Sequence, residues 1–307
     1  MVLNKIGLTG SSGMLGRHLR AALQVEGADV AAVSRSGADG SAAWDLSVWL
    51  GMEVLDELFA DAQAIVHAGA FVQPSGEVDE ARMFDANVRA CLNLGQWAMS
   101  RNIPLLYISG AIVYADPCAP LQKESAPLGW SGLGGFYGFS KLLAEDVLMR
   151  LRQQGLKLCV LRPTSIYGHG IGVDKMVSRF LAAAARNEAI ELIQPVEDRV
   201  DIVHAADVSA ATVAALRKEC WETLNVSSGK PISIIELAEA CVAVAGSGRI
   251  EIKGDRPTNY RASVTYSLDI SLAGERIDWR PRIGLRKGLA MLLHGQCLPT
   301  SSAADEK

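Results

Sequence analysis

Strand-like and helix-like patterns alternate through the first half of the chain. The opening NKIGLTG is a short apolar run ending in glycine, and residues 14 to 25, MLGRHLRAALQV, carry apolar side chains at helical spacing. ADVAAVSRS predicts a second strand, DAQAIVHAGA another and LLYISGAIVY another, while KLCVLRPTSIYG follows the helix that holds Tyr137. These strands are apolar on both faces, which predicts a parallel sheet covered by helices. With right-handed crossovers, the expected fold is a Rossmann-type α/β architecture, a doubly wound parallel sheet.

The second half is less regular. VDKMVSRFLAAAARN predicts a helix, and DRVDIVHAADVSAATVAALRK a strand followed by a helix. In ETLNVSSGKPISIIELAEACVAVAG, a strand and a turn lead to a helix with Ser233 at its N-cap and Glu236 three residues on, a capping box. There is no internal repeat and no long Pro/Gly/Ser linker. The expected organisation is a dinucleotide-binding domain built from residues 1–168 and about 199–228. A smaller α/β substrate lobe from about 169–198 and 229–298 interleaves with it, and residues 299–307 form a disordered tail.

Composition narrows the function. The 307 residues suit one large α/β unit or two unequal lobes, and 49% hydrophobic with 21% charged content is that of a globular protein with a large core. A net charge of -4 without a basic cluster argues against nucleic acid, and apolar runs such as AIVHAGAFV are too short to cross a bilayer. The N-terminus enters a strand with no long apolar leader, and the six cysteines lack CxxC or CxH spacing. Free thiols, a cytoplasmic location and no metal site are the expectation.

The chemistry starts at the first predicted βα turn, Thr9-Gly10-Ser11-Ser12-Gly13-Met14-Leu15-Gly16. Glycines there allow a tight turn, close approach of backbone to a pyrophosphate and close helix–strand packing, and the helix N-terminus faces the phosphates. At the end of the second strand, where NAD binders usually carry an acid, the chain has Val33-Ser34-Arg35-Ser36, and Asp29 lies at the wrong end. Arg35 can pair with a 2′-phosphate, aided by Ser34 or Ser36, which favours NADP over NAD. Asp45, if it follows a third strand, is placed to reach the adenine edge.

Taken together, LTGSSGMLG, WDL, VHAGA, DANVRACLNL, YISGAIVY, YGFSK, LRPTSIYG, VDIVHAADV and the closing SLDISLAGERIDWRPRIGLRKGL resemble the extended short-chain dehydrogenase/reductase family, NDP-sugar epimerase/dehydratase branch. The resemblance spans about residues 3 to 295. It implies that Ala68, Gly69 and Ala70 pass beneath the cofactor, that Leu46 and Pro163 contact it, and that Asn87 lies on a helix bracing the catalytic strand. It also implies a homodimer formed through the helices starting near Asp79 and Tyr137.

The reactive pair can be read without the family. Tyr137 and Lys141 are four residues apart and share one helix face. A cation beside a phenol favours phenolate, so a lowered Tyr137 pKa and proton exchange with a sugar hydroxyl or ketone are expected, with nicotinamide carrying the hydride.

In the family, a Ser or Thr lies four residues before the tyrosine that ends the catalytic strand, here Tyr114, so the position is Gly110. Ser109, its neighbour, should point to the opposite face. Such a hydrogen bond contributes on the order of 1.5–3 kcal/mol. Thr164 and Ser165 are candidate substitutes. Ala111-Ile112 replaces the Asp-Glu pair of the family's dehydratases, and Ile112 also replaces the cysteine of its epimerising reductases. That leaves simple hydride transfer by a nucleotide-sugar 4-epimerase with a transient 4-keto intermediate, or by an NADPH-dependent 4-ketoreductase. A reductase of a non-sugar ketone and a non-catalytic NAD(P)-binding sensor or scaffold also remain open.

The resemblance assigns substrate contacts more weakly. Ser165 stands where an Asn often binds diphosphate; Arg199 adjoins Val200, where the family has an Arg; Arg256 matches an Arg that often contacts diphosphate. Phe71, Val72 and Gln73 are expected to border the sugar pocket. His204 reads as a packed structural residue, and His169 as either a substrate contact or an exposed loop residue.

Overall fold

The computed structural model describes residues 2–72, 78–258 and 260–298; Gln73 and the tail 299–307 lie outside the described residues. The chain opens with β1 (Lys5–Thr9), α1 (Met14–Val25), β2 (Asp29–Ser34), β3 (Ala42–Ala43), α2 (Met52–Leu58) and β4 (Ala64–His67). Next, α3 (Glu80–Phe84) runs through a π-helical turn, Asp85–Arg89, into α4 (Ala90–Ser100). β5 (Leu105–Ile108), α5 (Gly135–Gln153), β6 (Leu158–Pro163) and β7 (Ser165–Tyr167) follow, then α6 (Met176–Ala185), β8 (Ala189–Ile193), β9 (Arg199–Val200), β10 (Ile202–His204) and α7 (Ala205–Arg217). The chain closes with β11 (Thr223–Val226), β12 (Ile232–Ser233), α8 (Ile234–Ala245), β13 (Arg249–Lys253), β14 (Val264–Thr265), α9 (Ser271–Ile277) and α10 (Leu285–Leu293).

Seven strands form one sheet in the order β11-β6-β5-β4-β1-β2-β3, with every pairing parallel. The doubly wound expectation holds, and the chain reverses its direction of travel across the sheet between β1 and β4. Ligands of such sheets bind outside the carboxyl ends of the strands at this reversal. Here Thr9 and His67 are in register at those ends, so the glycine-rich turn and the VHAGA turn meet.

Strand alternation distributes the core. Val66, Leu106, Ile108 and Leu161 pack with Leu19 of α1 and Val208 and Leu216 of α7. Ile65, Leu105, Tyr107 and Val160 pack on the other face with Leu94 and Trp97 of α4 and Ala144 and Leu148 of α5. A separate core joins Phe180 and Leu181, Ile190 and Leu192, Leu237 and Leu289. The capping box of α8 is present: Glu236 N–H donates to Ser233 Oγ, and Ser233 N–H to Glu236 Oε2. β9 pairs with β12 and β14 in a three-stranded sheet rather than with the large one.

The expected strand LLYISGAIVY is shorter than its pattern suggests. β5 ends at Ile108, and Ala111–Val113 form a 3-10 turn. Ser109 N–H makes the last bond to β6, to the Leu161 carbonyl. The chain then leaves the sheet near Pro163, a residue with no N–H to extend a ladder.

Polar residues close the carboxyl end of this strand pair. Glu145 of α5 and Arg162 of β6 form a buried ion pair, their side chains 1% and 5% exposed. Ser109 Oγ donates to Glu145 Oε2 at 2.7 Å, and the Arg162 guanidinium donates to Tyr114 Oη and the Glu124 carbonyl. Tyr114 Oη in turn donates to Asn225 Oδ1 at 2.6 Å, while Asn225 Nδ2 donates to the Gln122 and Asp269 carbonyls. Removing one member strands a buried charge, which costs several kcal/mol. We expect Glu145→Ala to lower unfolding free energy by about 3–5 kcal/mol. Denaturant titration of the variant checks this, and a loss below about 1 kcal/mol would refute the central role of the pair.

Candidate active site

Two neighbouring cavities occupy the carboxyl edge of the sheet. The first, about 310 Å³, is walled by Gly10, Ser12 and Gly13, by Ser34, Arg35 and Ser36, by Asp45 and Leu46, and by Ala68, Gly69, Ala70 and Phe71. Gly10 adopts φ +71°, and a Cβ there would lie 2.6 Å from Gly69 Cα and N. Only glycine permits this conformation and this approach together. A Cβ on Gly16 would run into the Gly10 carbonyl, so Gly16 seats α1 against the turn. Met14, Leu15 and Gly16 form the first turn of α1 and are not among the described residues lining the cavity.

The second cavity, about 580 Å³, shares Val72 with the first. Gly110, Ala111, Ile112, Tyr137, Pro163, Thr164 and Ser165 line it. Sequence reasoning missed several further wall residues, among them Val78, Met83, Lys175 and Tyr266. They come from separate segments that only the tertiary fold gathers, so no local spacing could reveal them.

Lys141 lies under this wall, 4% exposed. Its Nζ donates to the Ile108 carbonyl at 2.8 Å and to Tyr107 Oη at 3.3 Å. Burial draws its ammonium down to about 8. The expected depression of Tyr137 is corrected by the structure: burial pushes its phenol up to about 12. The physical reason is that loss of water disfavours phenolate, while both hydrogen bonds of the lysine go to β5.

Gly110 has φ 177°, an extended conformation open to any residue. A Cβ there would meet nothing closer than 3.7 Å. The missing hydroxyl is therefore a chemical subtraction, not a demand of the backbone. Ser109 also lines the second cavity, but its hydroxyl donates to Glu145 Oε2 at 2.7 Å. Of the two candidate substitutes, Thr164 Oγ1 points to Asp201 Oδ1 at 3.4 Å, and Ser165 is exposed with no hydrogen bond to a described side chain.

Other expected contacts fall elsewhere. Phe71 lines the first cavity, not the second; the Arg82 guanidinium sits 5.0 Å over its ring, and its backbone is held by Asn87. Asn87 Oδ1 accepts from Phe71 N–H, and Nδ2 donates to the Phe71 carbonyl and Ser140 Oγ, tying the 71 turn to α5, while Leu94 and Trp97 of the same helical rod pack on β5. Asp45 follows β3, and Ser47 and Arg82 bond both of its carboxylate oxygens. Its carboxyl is held low, first by the Ser47 N–H.

Arg199 and Arg256 are not among the described residues lining either cavity. Arg199 donates to the Pro231 carbonyl and pairs with Glu236, and Arg256 pairs with Glu197 at 3.3 Å. His204 is buried as the N-cap of α7 and is drawn down to about 4 by burial. His169 lies by Gly295, outside the wall of the second cavity.

A model of the NAD dependent epimerase/dehydratase family matches residues 6–227. The chain belongs to this family. Within it, the protein is an enzyme of the extended short-chain dehydrogenase/reductase branch. UDP-glucuronic acid decarboxylase 6 of Arabidopsis thaliana is 25% identical over 303 residues, covering 94% of this chain and 87% of the relative. A dTDP-4-dehydro-6-deoxy-D-allose reductase of Streptomyces bikiniensis is 26% identical, covering 92% and 93%. Among solved structures, the UDP-N-acetylglucosamine 4-epimerase of Bacillus cereus superposes with a TM-score of 0.80 at 22% identity, covering 95% of this chain and 99% of that one.

The first cavity fits the dinucleotide of an NAD-dependent epimerase/dehydratase. The N-cap of α1, Gly13, offers no side-chain cap, and the first turn carries no acid. The cavity thus meets the uncapped start of α1 at Ser12 and Gly13, where the helix dipole favours a diphosphate. We expect Gly10→Ala to weaken NADH binding about tenfold or more, because the Cβ closes the gap to Gly69. Fluorescence titration of NADH checks this, with thermal melting to show that the variant is folded.

Proposed function

We propose that the protein is an NAD(P)-dependent nucleotide-sugar 4-epimerase in which Tyr137 is the acid/base and Lys141 its electrostatic partner. The observation that carries this reading is the placement of Tyr137 on the wall of the second cavity with Lys141 one helical turn on, next to a cavity suited to a dinucleotide. The names of the relatives, which include a UDP-glucuronate 4-epimerase of Thermodesulfobacterium geofontis at 23% identity, support a nucleotide-sugar substrate.

In this reading the bound nicotinamide supplies hydride acceptance and return at C4. The protein supplies the proton path. Tyr137 Oη holds its proton at neutral pH and is poised to give it to a 4-keto oxygen. For the opposite step it must lose that proton, which the Lys141 charge favours. This help is complete below about 8 and fades as pH rises through that value, where the ammonium is lost.

Ala111 and Ile112 put no acid beside the reacting carbons, so elimination of water has no acid–base pair here. Loss of carbon dioxide from a 4-keto uronate needs none, because a β-keto acid decarboxylates on its own. The reductase reading rests on Arg35, exposed beside Ser34 and Ser36 at the first cavity with no ion pair to an acid among the described residues, which favours a 2′-phosphate. The interleaved lobes, the homodimer and a cytoplasmic location belong to the same proposal. No helix among the described residues is long and apolar enough to cross a membrane.

The test is release of cofactor from the purified protein by denaturation, identification by mass, and incubation with UDP-glucose, UDP-N-acetylglucosamine and UDP-glucuronic acid. Retained NAD with an epimerised product supports the proposal; empty protein that prefers NADPH overturns it in favour of the reductase. With the active sugar, Gly110→Ser is expected to raise turnover roughly ten- to hundredfold, since the space is open and the hydroxyl lacking. Unchanged turnover would mean that another group, with Ser165 the first to examine, already orients the reacting oxygen.

A further inference from the structure

Beneath Tyr137 a buried polar column leads to Lys141 through Thr9, His67 and Tyr107, three residues that the epimerase reading does not use. Gly69 N–H donates to Thr9 Oγ1 at 3.3 Å, and Thr9 Oγ1 shares a hydrogen with His67 Nδ1 at 2.6 Å. The His67 ring stacks on Tyr107, centroids 5.7 Å apart and planes 24° from parallel. Tyr107 Oη accepts from Lys141 Nζ at 3.3 Å, and the same ammonium lies 4.8 Å from the Tyr107 ring centroid. Thr9, His67, Tyr107 and Lys141 are each at most 4% exposed.

Packing alone does not call for a phenol at residue 107. A phenylalanine would fill the space between β5 and the helices α4 and α5 without burying a hydroxyl that needs partners. A buried ammonium, by contrast, needs acceptors, and among the described residues its three hydrogens have two, the Ile108 carbonyl and Tyr107 Oη. The ring face adds a cation–π attraction strengthened by the absence of water.

We propose that Tyr107 is the positioning residue of Lys141: its hydroxyl and ring hold the ammonium at the end of β5 and set the pH at which the lysine loses its charge. The catalytic meaning of this rests on the Tyr137–Lys141 reading; the hold itself does not.

The surroundings make the hold measurable. The titratable groups around Lys141 are His67 of β4, Cys91 of α4, Tyr107 of β5, and Tyr137 and Glu145 of α5. Burial draws His67 down to about 3 and pushes Cys91 and Tyr137 up to about 12; Tyr107 is also raised by burial. Glu145 is paired with Arg162. Across the neutral range, Lys141 is therefore the group of this cluster that changes charge.

The experiment is an NMR titration of the full chain carrying 13Cε-labelled lysine, with the Lys141 signal assigned by its loss in Lys141→Met. In Tyr107→Phe the ring stays and one acceptor is removed, so the charged form is less favoured. The Lys141 midpoint is expected to fall by about half a pH unit to one unit, with the melting temperature shifted by no more than a few degrees. An unmoved or raised midpoint overturns the proposal. A variant that does not fold is replaced by wild-type protein with fluorinated tyrosine, whose more acidic phenol is a weaker acceptor and should move the midpoint the same way. The reading of the reactive pair is tested apart from this, by turnover of the active UDP-sugar. Unchanged turnover in Lys141→Met sinks that reading, while a midpoint shift in Tyr107→Phe would still establish the hold.

Discussion

The carboxyl end of β5 and β6 depends on one buried ion pair, Glu145 with Arg162. A guanidinium buried in a strand is tolerable only where its donors are matched. Meeting that demand brings four segments to one point: Ser109 after β5, Tyr114 after the 3-10 turn, the loop at Glu124, and Asn225 of β11 through Tyr114. The placement of the second cavity follows. Gly110 and Ala111 leave the sheet between two anchored residues, and α5, held through Glu145, presents Tyr137 to them. The pair is weak evidence for net stability, because desolvation of both charges offsets much of their attraction; what the structure shows is the set of segments it ties together.

Much of this was legible in the sequence. α1 matches the run of apolar positions from Met14 to Val25, and the capping box gives the start of α8, because both are governed by neighbours within one turn. The turn at Gly10 was legible for a similar reason: a tight backbone path restricts residue type at each step. The length of β5 was not, since apolar character continues through Ile112 and Val113 after ladder bonding stops. Arg162 and Glu145 could have been suspected: a charge inside the run KLCVLRP needs a buried partner, and Glu145 repeats the four-residue spacing of Tyr137 and Lys141. The substrate arginines were harder to place from sequence, because an Arg has many possible acids within reach, and here Arg199 pairs with Glu236 and Arg256 with Glu197.

The phenol of Tyr137 shows where a pairwise argument ends. Residues four apart share a helix face, yet a shared face does not say where a flexible ammonium points. Lys141 turns to β5, and burial then acts on the two groups in opposite senses, raising the tyrosine and lowering the lysine. Both shifts move toward the uncharged forms, yet at neutral pH the tyrosine is neutral while the lysine still carries its charge.

The π-helical turn between α3 and α4 divides one long helix into two registers. Before it, Met83 reaches the second cavity; within it, Ala86 reaches the first, and Asn87 clasps the chain at Phe71. After it, Cys91, Leu94 and Trp97 lie against the sheet. A rod of even pitch has a single inward stripe and would have to favour either the cavities or the core. The extra residue in the turn rotates everything beyond it, so it works as a gear change. The same rod faces ligand over its first half and hydrophobic core over its second.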